Sequence, residues 1–350
     1  MYTALFFLHR LLAVVLLAII VWPQSAQADS ATNPLSYALR QSAPPASTAL
    51  SLQLRQLWLE ETEYLPELGQ DLYRWQERSS QLQLGTSLAQ HRIGAGLEQG
   101  TIEQKSLLFG DNDFSLNQRA AFVQWQYEAA KGFNASAELR CERFTDRGDS
   151  GFYRLNNTRD LWTGTARLHY QGTVNWLSLS YQRQRDPEPV YNIATERAEL
   201  HLGAQQLSGL LAGWLLRPGW HLTLGAYYED YATDRPDQIN SLMQLSHQPV
   251  WLPRLEAAVG LGYFDEEQET IVNLTLKYSG QLSRQLRWQL EYQLEYSDLE
   301  RSWLNEGLVE LRWNLWRELS ASCSLAASNE NGDDQDQSLI VLAGLEIPLL

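Results

Sequence analysis

Apolar and polar residues alternate one by one along most of this chain. Ala121, Val123, Trp125, Tyr127 and Ala129 alternate with Phe122, Gln124, Gln126 and Glu128. Trp220, Leu222, Leu224, Ala226 and Tyr228 alternate with His221, Thr223, Gly225, Tyr227 and Glu229. A period of two marks a strand with one apolar face. The run from Leu286 to Tyr296 is the cleanest, because its second face (Arg287, Gln289, Glu291, Gln293, Glu295) is wholly polar and must be wet. Even the uncharged stretch from Leu200 to Leu216 keeps the alternation, through Leu202, Ala204, Leu210, Ala212 and Trp214, so it predicts a strand rather than a membrane helix.

Turn chemistry divides the pattern into elements. Short connections hold Lys131-Gly132, Gln171-Gly172, Pro218-Gly219 and Ser279-Gly280, and longer acidic ones fall between them at 145–159, 185–195, 231–236, 265–269, 298–305 and 328–337. Strands are predicted at 48–60, 80–98, 101–109, 118–129, 133–144, 160–170, 173–184, 196–216, 219–230, 237–247, 252–264, 270–279, 285–297, 306–314, 316–327 and 338–349. The alternation shifts phase near His91, and a helix is compatible with 61–79. The predicted fold class is therefore all-β, an antiparallel transmembrane barrel of about sixteen strands, since amphipathic strands in such number hide their edges completely only by closing. Tyr127, Tyr170, Tyr228, Tyr263, Tyr278 and Tyr296 fall at strand ends, where a half-buried ring with a wet polar tip suits the lipid boundary.

The N-terminal segment sets the compartment. His9 and Arg10 precede an apolar run from Leu11 to Trp22, and Ala26-Gln27-Ala28 offers small residues for cleavage. The expected organisation is a signal peptide at 1–28, a periplasmic linker at 29–47 and an outer-membrane barrel at 48–350. Composition agrees with this: 13 Trp and 16 Tyr stand against 2 Met, and 42 acids against 27 bases argue against a nucleic-acid partner. The two cysteines, Cys141 and Cys323, are too few for a disulfide scaffold or a cysteine-rich metal site.

Across 48–350 the pattern resembles bacterial outer-membrane porins, including a closing strand in which Leu339, Val341, Ala343, Leu345, Ile347 and Leu349 alternate. The Tyr-, Trp- and Arg-rich strands are also similar to the barrels of exopolysaccharide exporters. The resemblance implies the outer membrane of a Gram-negative bacterium, contact with lipid and with the barrel assembly machinery, and compatibility with a homo-oligomer. Porins usually end in an aromatic residue; this sequence ends Leu349-Leu350.

With the apolar parity toward lipid, the lumen receives Glu128, Glu138, Arg140, Glu142, Arg167, Glu199, Glu229, Arg287, Glu291, Glu295, Glu310 and Arg312, together with Arg55, Glu256, Lys277 and Glu346. Acids outnumber bases in this set, and an acidic low-dielectric lumen favours cations. By analogy with the inturned third loop of porins, 145–159 is the candidate constriction, with Asp146, Arg147, Asp149 and Arg154. Asp111-Asn112-Asp113 and Asn331-Gly332-Asp333-Asp334 are acidic but match no full calcium loop. His91, His169, His201, His221 and His247 share no metal-ligand spacing, and no catalytic constellation is legible. The expected function is a passive channel for small solutes or a polysaccharide, cation-preferring, with no cofactor, no metal and no enzymatic activity. A barrel enzyme and a non-conducting structural or adhesion barrel are the alternatives.

Overall fold

The computed structural model describes residues 50–65, 70–106, 113–129, 132–147, 154–155, 160–192, 197–230, 238–264, 268–299, 301–316, 319–331 and 335–349. The expected leader at 1–28, the linker at 29–47, and Asp111, Asn112, Asp149 and 332–334 lie outside the described residues.

In chain order the strands are β1 (Leu50–Leu65), β2 (Gln70–Leu88), β3 (His91–Ser106), β4 (Phe114–Glu128), β5 (Phe133–Asp146), β6 (Arg154–Leu155), β7 (Asp160–Gln171), β8 (Asn175–Asn192) and β9 (Arg197–Arg217). They continue as β10 (Trp220–Asp230), β11 (Gln238–His247), β12 (Leu255–Phe264), β13 (Glu269–Gln281), β14 (Leu286–Ser297), β15 (Trp303–Trp316), β16 (Leu319–Asn331) and β17 (Gln335–Pro348). The two-residue β6 belongs to the β5–β7 connection; the other sixteen form the wall, each antiparallel to its neighbours. β1 pairs with β17 from Ser51↔Pro348 to Tyr64↔Gln335, which closes the ring and leaves no edge. At the short turns Gly132 and Gly219 adopt φ of 76° and 81°, and a Cβ at either would stand 2.2 or 2.3 Å from a neighbouring carbonyl oxygen. Glycine is the residue these turns require.

The wall is apolar on the outside. Leu84, Leu97, Val123, Leu139, Leu168, Leu179, Leu210, Leu224, Val259, Leu276 and Leu290 are all exposed on its outer face. Water would not tolerate so continuous an apolar surface, whereas a bilayer requires one. Two aromatic girdles bound it. Tyr127, Tyr170, Trp220, Tyr278 and Trp288 lie on the turn side, and Tyr181, Tyr228, Tyr263, Tyr296 and Trp303 on the loop side. Tyr278 meets Trp288 at 5.3 Å and Tyr296 meets Trp303 at 4.8 Å between ring centroids. Cys141 and Cys323 are free thiols on this outer parity.

The first strands depart from the rule in an informative way. On the loop-side halves of β1–β5 and β7 the outward residues become Glu60, Arg74, Arg78, Glu103, Asn117, Arg119, Arg143 and Asp160. Arg143 pairs with Asp160 at 2.6 Å, Arg147 with Glu103 at 2.7 Å and Arg74 with Glu60 at 3.5 Å. The inward residues there become apolar: Leu59, Trp75, Ile102, Phe114, Leu116 and Phe144 pack into one buried cluster with Ala326 and Ile340, flanked by Leu57, Leu161 and Leu308. This part of the wall stands above the girdle with water outside, so its side chains sort as in a soluble protein.

The inversion explains where the predicted strands miss. The expected 48–60, 80–98 and 101–109 are instead β1, β2 and β3, and 61–79, compatible with a helix, lies largely in β1 and β2. In β1 the apolar parity switches from Leu50, Leu52 and Leu54 to Leu57 and Leu59 as the strand leaves the bilayer, which ends the alternation without ending the strand. The phase shift near His91 is a turn, Ala89-Gln90, with Ala89 at φ 52°.

Candidate functional site

The lumen is lined by the parity opposite the lipid belt, and its polar side chains divide into two walls. On β2–β5, β7 and β8 acids and bases interlock. Arg140 pairs with Glu98, with Glu138 at 3.2 Å and with Glu142 at 3.8 Å, and its guanidinium lies 5.1 Å from the Phe122 ring centroid. Glu138 accepts from Gln124 at 2.6 Å, which accepts from Gln83 at 2.8 Å, and Thr163 donates to Glu142 at 3.2 Å. Neutral amides thus carry the network sideways, and each buried charge has an opposite partner, which is what burial of charge demands.

Arg185 extends this network across the lumen. It stands on β8 but pairs with Glu77 of β2 at 2.6 Å and with Glu142 of β5 at 3.8 Å, and lies 5.9 Å from the Phe144 ring centroid. β2 and β8 are separated around the wall by β3, β4, β5 and β7. The contact is made because the β8–β9 hairpin leaves the wall. β7 pairs with β8 only as far as Gly164↔Arg183, and β10 with β9 only as far as Asp230↔Gln206, while β8 and β9 remain paired to Asn192↔Arg197. Arg185 and its cross-strand partner Ala204 have the outward parity of their strands, yet Ala204 is buried and Arg185 nearly so. At Arg185 the hairpin's outward parity therefore meets the inner wall of β2 and β5. β6 pairs parallel to it at Arg154↔Glu199 and Leu155↔Leu200.

The second wall, β13–β17 with β1, is sorted differently. Its loop-side half carries Glu61, Glu269, Glu295, Glu306, Glu330 and Asp336 inward, with no inward base on that half of these strands among the described residues. Its bases, Arg55, Lys277, Arg287 and Arg312, occupy the turn-side half, where Lys277 reaches Glu291 at 2.9 Å and Arg312 reaches Glu310 at 2.6 Å. Glu295 accepts from Gln293 at 3.0 Å, and Ser297 donates to Glu269.

The residues picked out in the sequence scatter over these features. Glu138, Arg140 and Glu142 come together in the network. Glu291, Glu295, Glu310, Arg287 and Arg312 share the second wall, and Glu229 accepts from Asn240 at 3.2 Å and Gln205 at 3.3 Å. Arg167 donates to Ser178 at 3.1 Å, and Glu128 sits at the turn-side end, 3.5 Å from Arg92. Of the constriction candidates, Asp146 ends β5, and Arg147 lies on the outer face of the raised rim, bound to Glu103 and within 3.3 Å of Ser115. Arg147 therefore does not project into the lumen; the inturned side chain is Arg185. The side chains of Arg154, Asp149 and Glu199 lie outside the described ones. The sequence pattern missed Arg185, Glu77, Glu98 and Glu306. Parity assigns Arg185 to the outside, while Glu77 and Glu98 belong to the mis-phased strands. Glu306 is the exception, since it shares the parity of Glu310 and was legible.

No protein family model matches the chain, and no curated protein matches it in sequence. Among solved structures it is similar to a bacterial polysaccharide outer membrane secretin, with a TM-score of 0.51 and 10% identity over 87% of this chain and 99% of that one. Weaker likenesses are to the Pseudomonas putida toluene transporter TodX (TM-score 0.45, 12% identity, 92% and 94% covered) and to Pseudomonas aeruginosa OccK8 (0.45, 11%, 88% and 100%). At such identities the likeness concerns the fold alone. Its closed even-stranded wall, apolar belt and paired girdles are those of a membrane-spanning β-barrel.

Proposed function

We propose that the protein is a passive channel of the Gram-negative outer membrane that conducts small solutes and prefers cations. The observation that carries this is the one-signed second wall: among the described residues, six carboxylates face the lumen on the loop-side half of six adjacent strands, and the inward bases of these strands occupy the other half. Such a wall lowers the energy of a cation at the loop-side entrance and raises that of an anion. The network opposite sets four carboxylates, Glu77, Glu98, Glu138 and Glu142, on two guanidiniums, Arg140 and Arg185, so it adds to the acidic field while it holds the β8–β9 hairpin inside. A polysaccharide solute is the second reading. Buried inward Gln205, Gln238 and Asn240 offer amides and Ser246 a hydroxyl on β9–β11 to hydrogen-bond sugar hydroxyls, and the fold is shared with a polysaccharide secretin.

Two measurements test the first reading. The protein should fractionate with the outer membrane, resist extraction by urea and migrate faster on a gel unheated than boiled, as closed barrels do; recovery as a soluble monomer would end the reading. In a planar bilayer under a potassium chloride gradient, the reversal potential should report cation preference. Glu291→Gln with Glu295→Gln, which preserves shape, should move it toward zero. Screening over about 8 Å at 0.15 M salt makes the shift larger in dilute salt. An anion-selective native channel, or a reversal potential indifferent to both substitutions, would refute the preference.

A further inference from the structure

Glu306 is the least compensated carboxyl group on the second wall. It is 2% exposed, and among the described residues no hydrogen-bond donor or cation reaches it. It lies on β15 directly opposite Gln293 of β14, with Glu291 and Glu295 two positions to either side of Gln293 on the same inward face. Diagonal neighbours of this kind have Cα atoms roughly 7–8 Å apart, within reach of long side chains. Next to Glu295 in the β13 register stands Asn273, whose Oδ1 is buried without a partner. Lys277, on Glu291, is the cation nearby among the described residues. The wall therefore presents acceptors in excess of donors, concentrated around one buried carboxylate.

The flanks define what fits there. Leu304 and Leu308 precede and follow Glu306 on the inward parity of β15, and Leu308 packs against the apolar cluster of the raised rim. No three His, Cys, Asp or Glu groups among the described residues are close enough to share a metal ion. A buried carboxylate framed by leucines, with further acceptors several ångströms away, matches a donor-bearing head on a methylene body. We propose that Glu306, with Glu295 and Asn273 beside it, is a binding subsite for an alkylammonium group, with Leu304 and Leu308 receiving its carbon chain. The inference rests on reading the lumen as a solute path and names the solute class that this wall selects.

The test is equilibrium binding of diaminobutane to the detergent-purified barrel, with butanediol as the uncharged probe of equal length. Diaminobutane should bind and butanediol should not. Glu306→Gln should weaken diamine binding at least about tenfold, the value of one charge-assisted hydrogen bond. The substitution is isosteric and removes an unpartnered buried carboxyl group, so the faster unheated gel migration should persist. Should it not persist, Glu295→Gln provides the same comparison from the neighbouring position. Equal binding by native and substituted proteins, or equal binding of diamine and diol, would overturn the proposal even if the channel proved cation-selective. Binding that is lost on substitution in a barrel that conducts nothing would instead keep the subsite and remove the channel.

Discussion

Replacing Arg185 with alanine is expected to raise single-channel conductance and to lower resistance to urea. Arg185 is the charge that holds the β8–β9 hairpin against the opposite wall. Its removal takes from Glu77, 1% exposed, the ion pair it makes with Arg185 at 2.6 Å. Breaking a buried pair by removing one member costs about 3–5 kcal/mol. Two relaxations are open to the protein: the wall bears the cost and unfolds at lower urea, or the hairpin lifts and water reaches Glu77. The second widens the lumen, which is why both quantities must be measured on the same preparation. A double variant separates charge from latch. Arg185→Met with Glu77→Gln removes the pair together, so stability should return close to native while conductance stays high. Glu142 keeps Arg140 as its partner in that variant. Unchanged conductance in both variants would show that the hairpin does not lie on the path of ions.

The second large effect concerns the outer face. Leu276 lies opposite Tyr292, midway between Trp288 and Tyr296 on β14, and is exposed on the lipid side. Leu276→Arg should destabilise the barrel in lipid by about 2–4 kcal/mol, the cost of a cation at the bilayer midplane. Leu290→Arg, one outward position from Trp288, should cost less, because an arginine there snorkels to the headgroups. Gln289→Arg, on the inward face of the same strand, should cost least of all. Urea unfolding in lipid vesicles gives the ranking. Equal costs at Leu276 and Gln289 would mean that the two faces of the wall are assigned the wrong way round.

The division between what the sequence determined and what the tertiary structure decided follows from where each signal resides. From β10 to β17 the wall passes through lipid between two girdles, and local alternation records both strand and face. Leu286 to Tyr296 predicts its own lipid side and its own wet side because each residue meets one of only two solvents. The number of long strands and the inward placement of Glu291, Glu295 and Glu310 were legible for that reason. The raised rim was not, because there the outside is water and the parity of apolar residues inverts. Leu57 and Leu59 follow Leu54 out of phase, and a period-based reading breaks the strand where the solvent changes. The latch was beyond any local pattern. Arg185 is 108 residues from Glu77, and its outward parity becomes inward only because a hairpin unsupported by β7 and β10 folds into the lumen. Charge pairing across a closed ring depends on which strands face each other, and closure, not sequence separation, decides that.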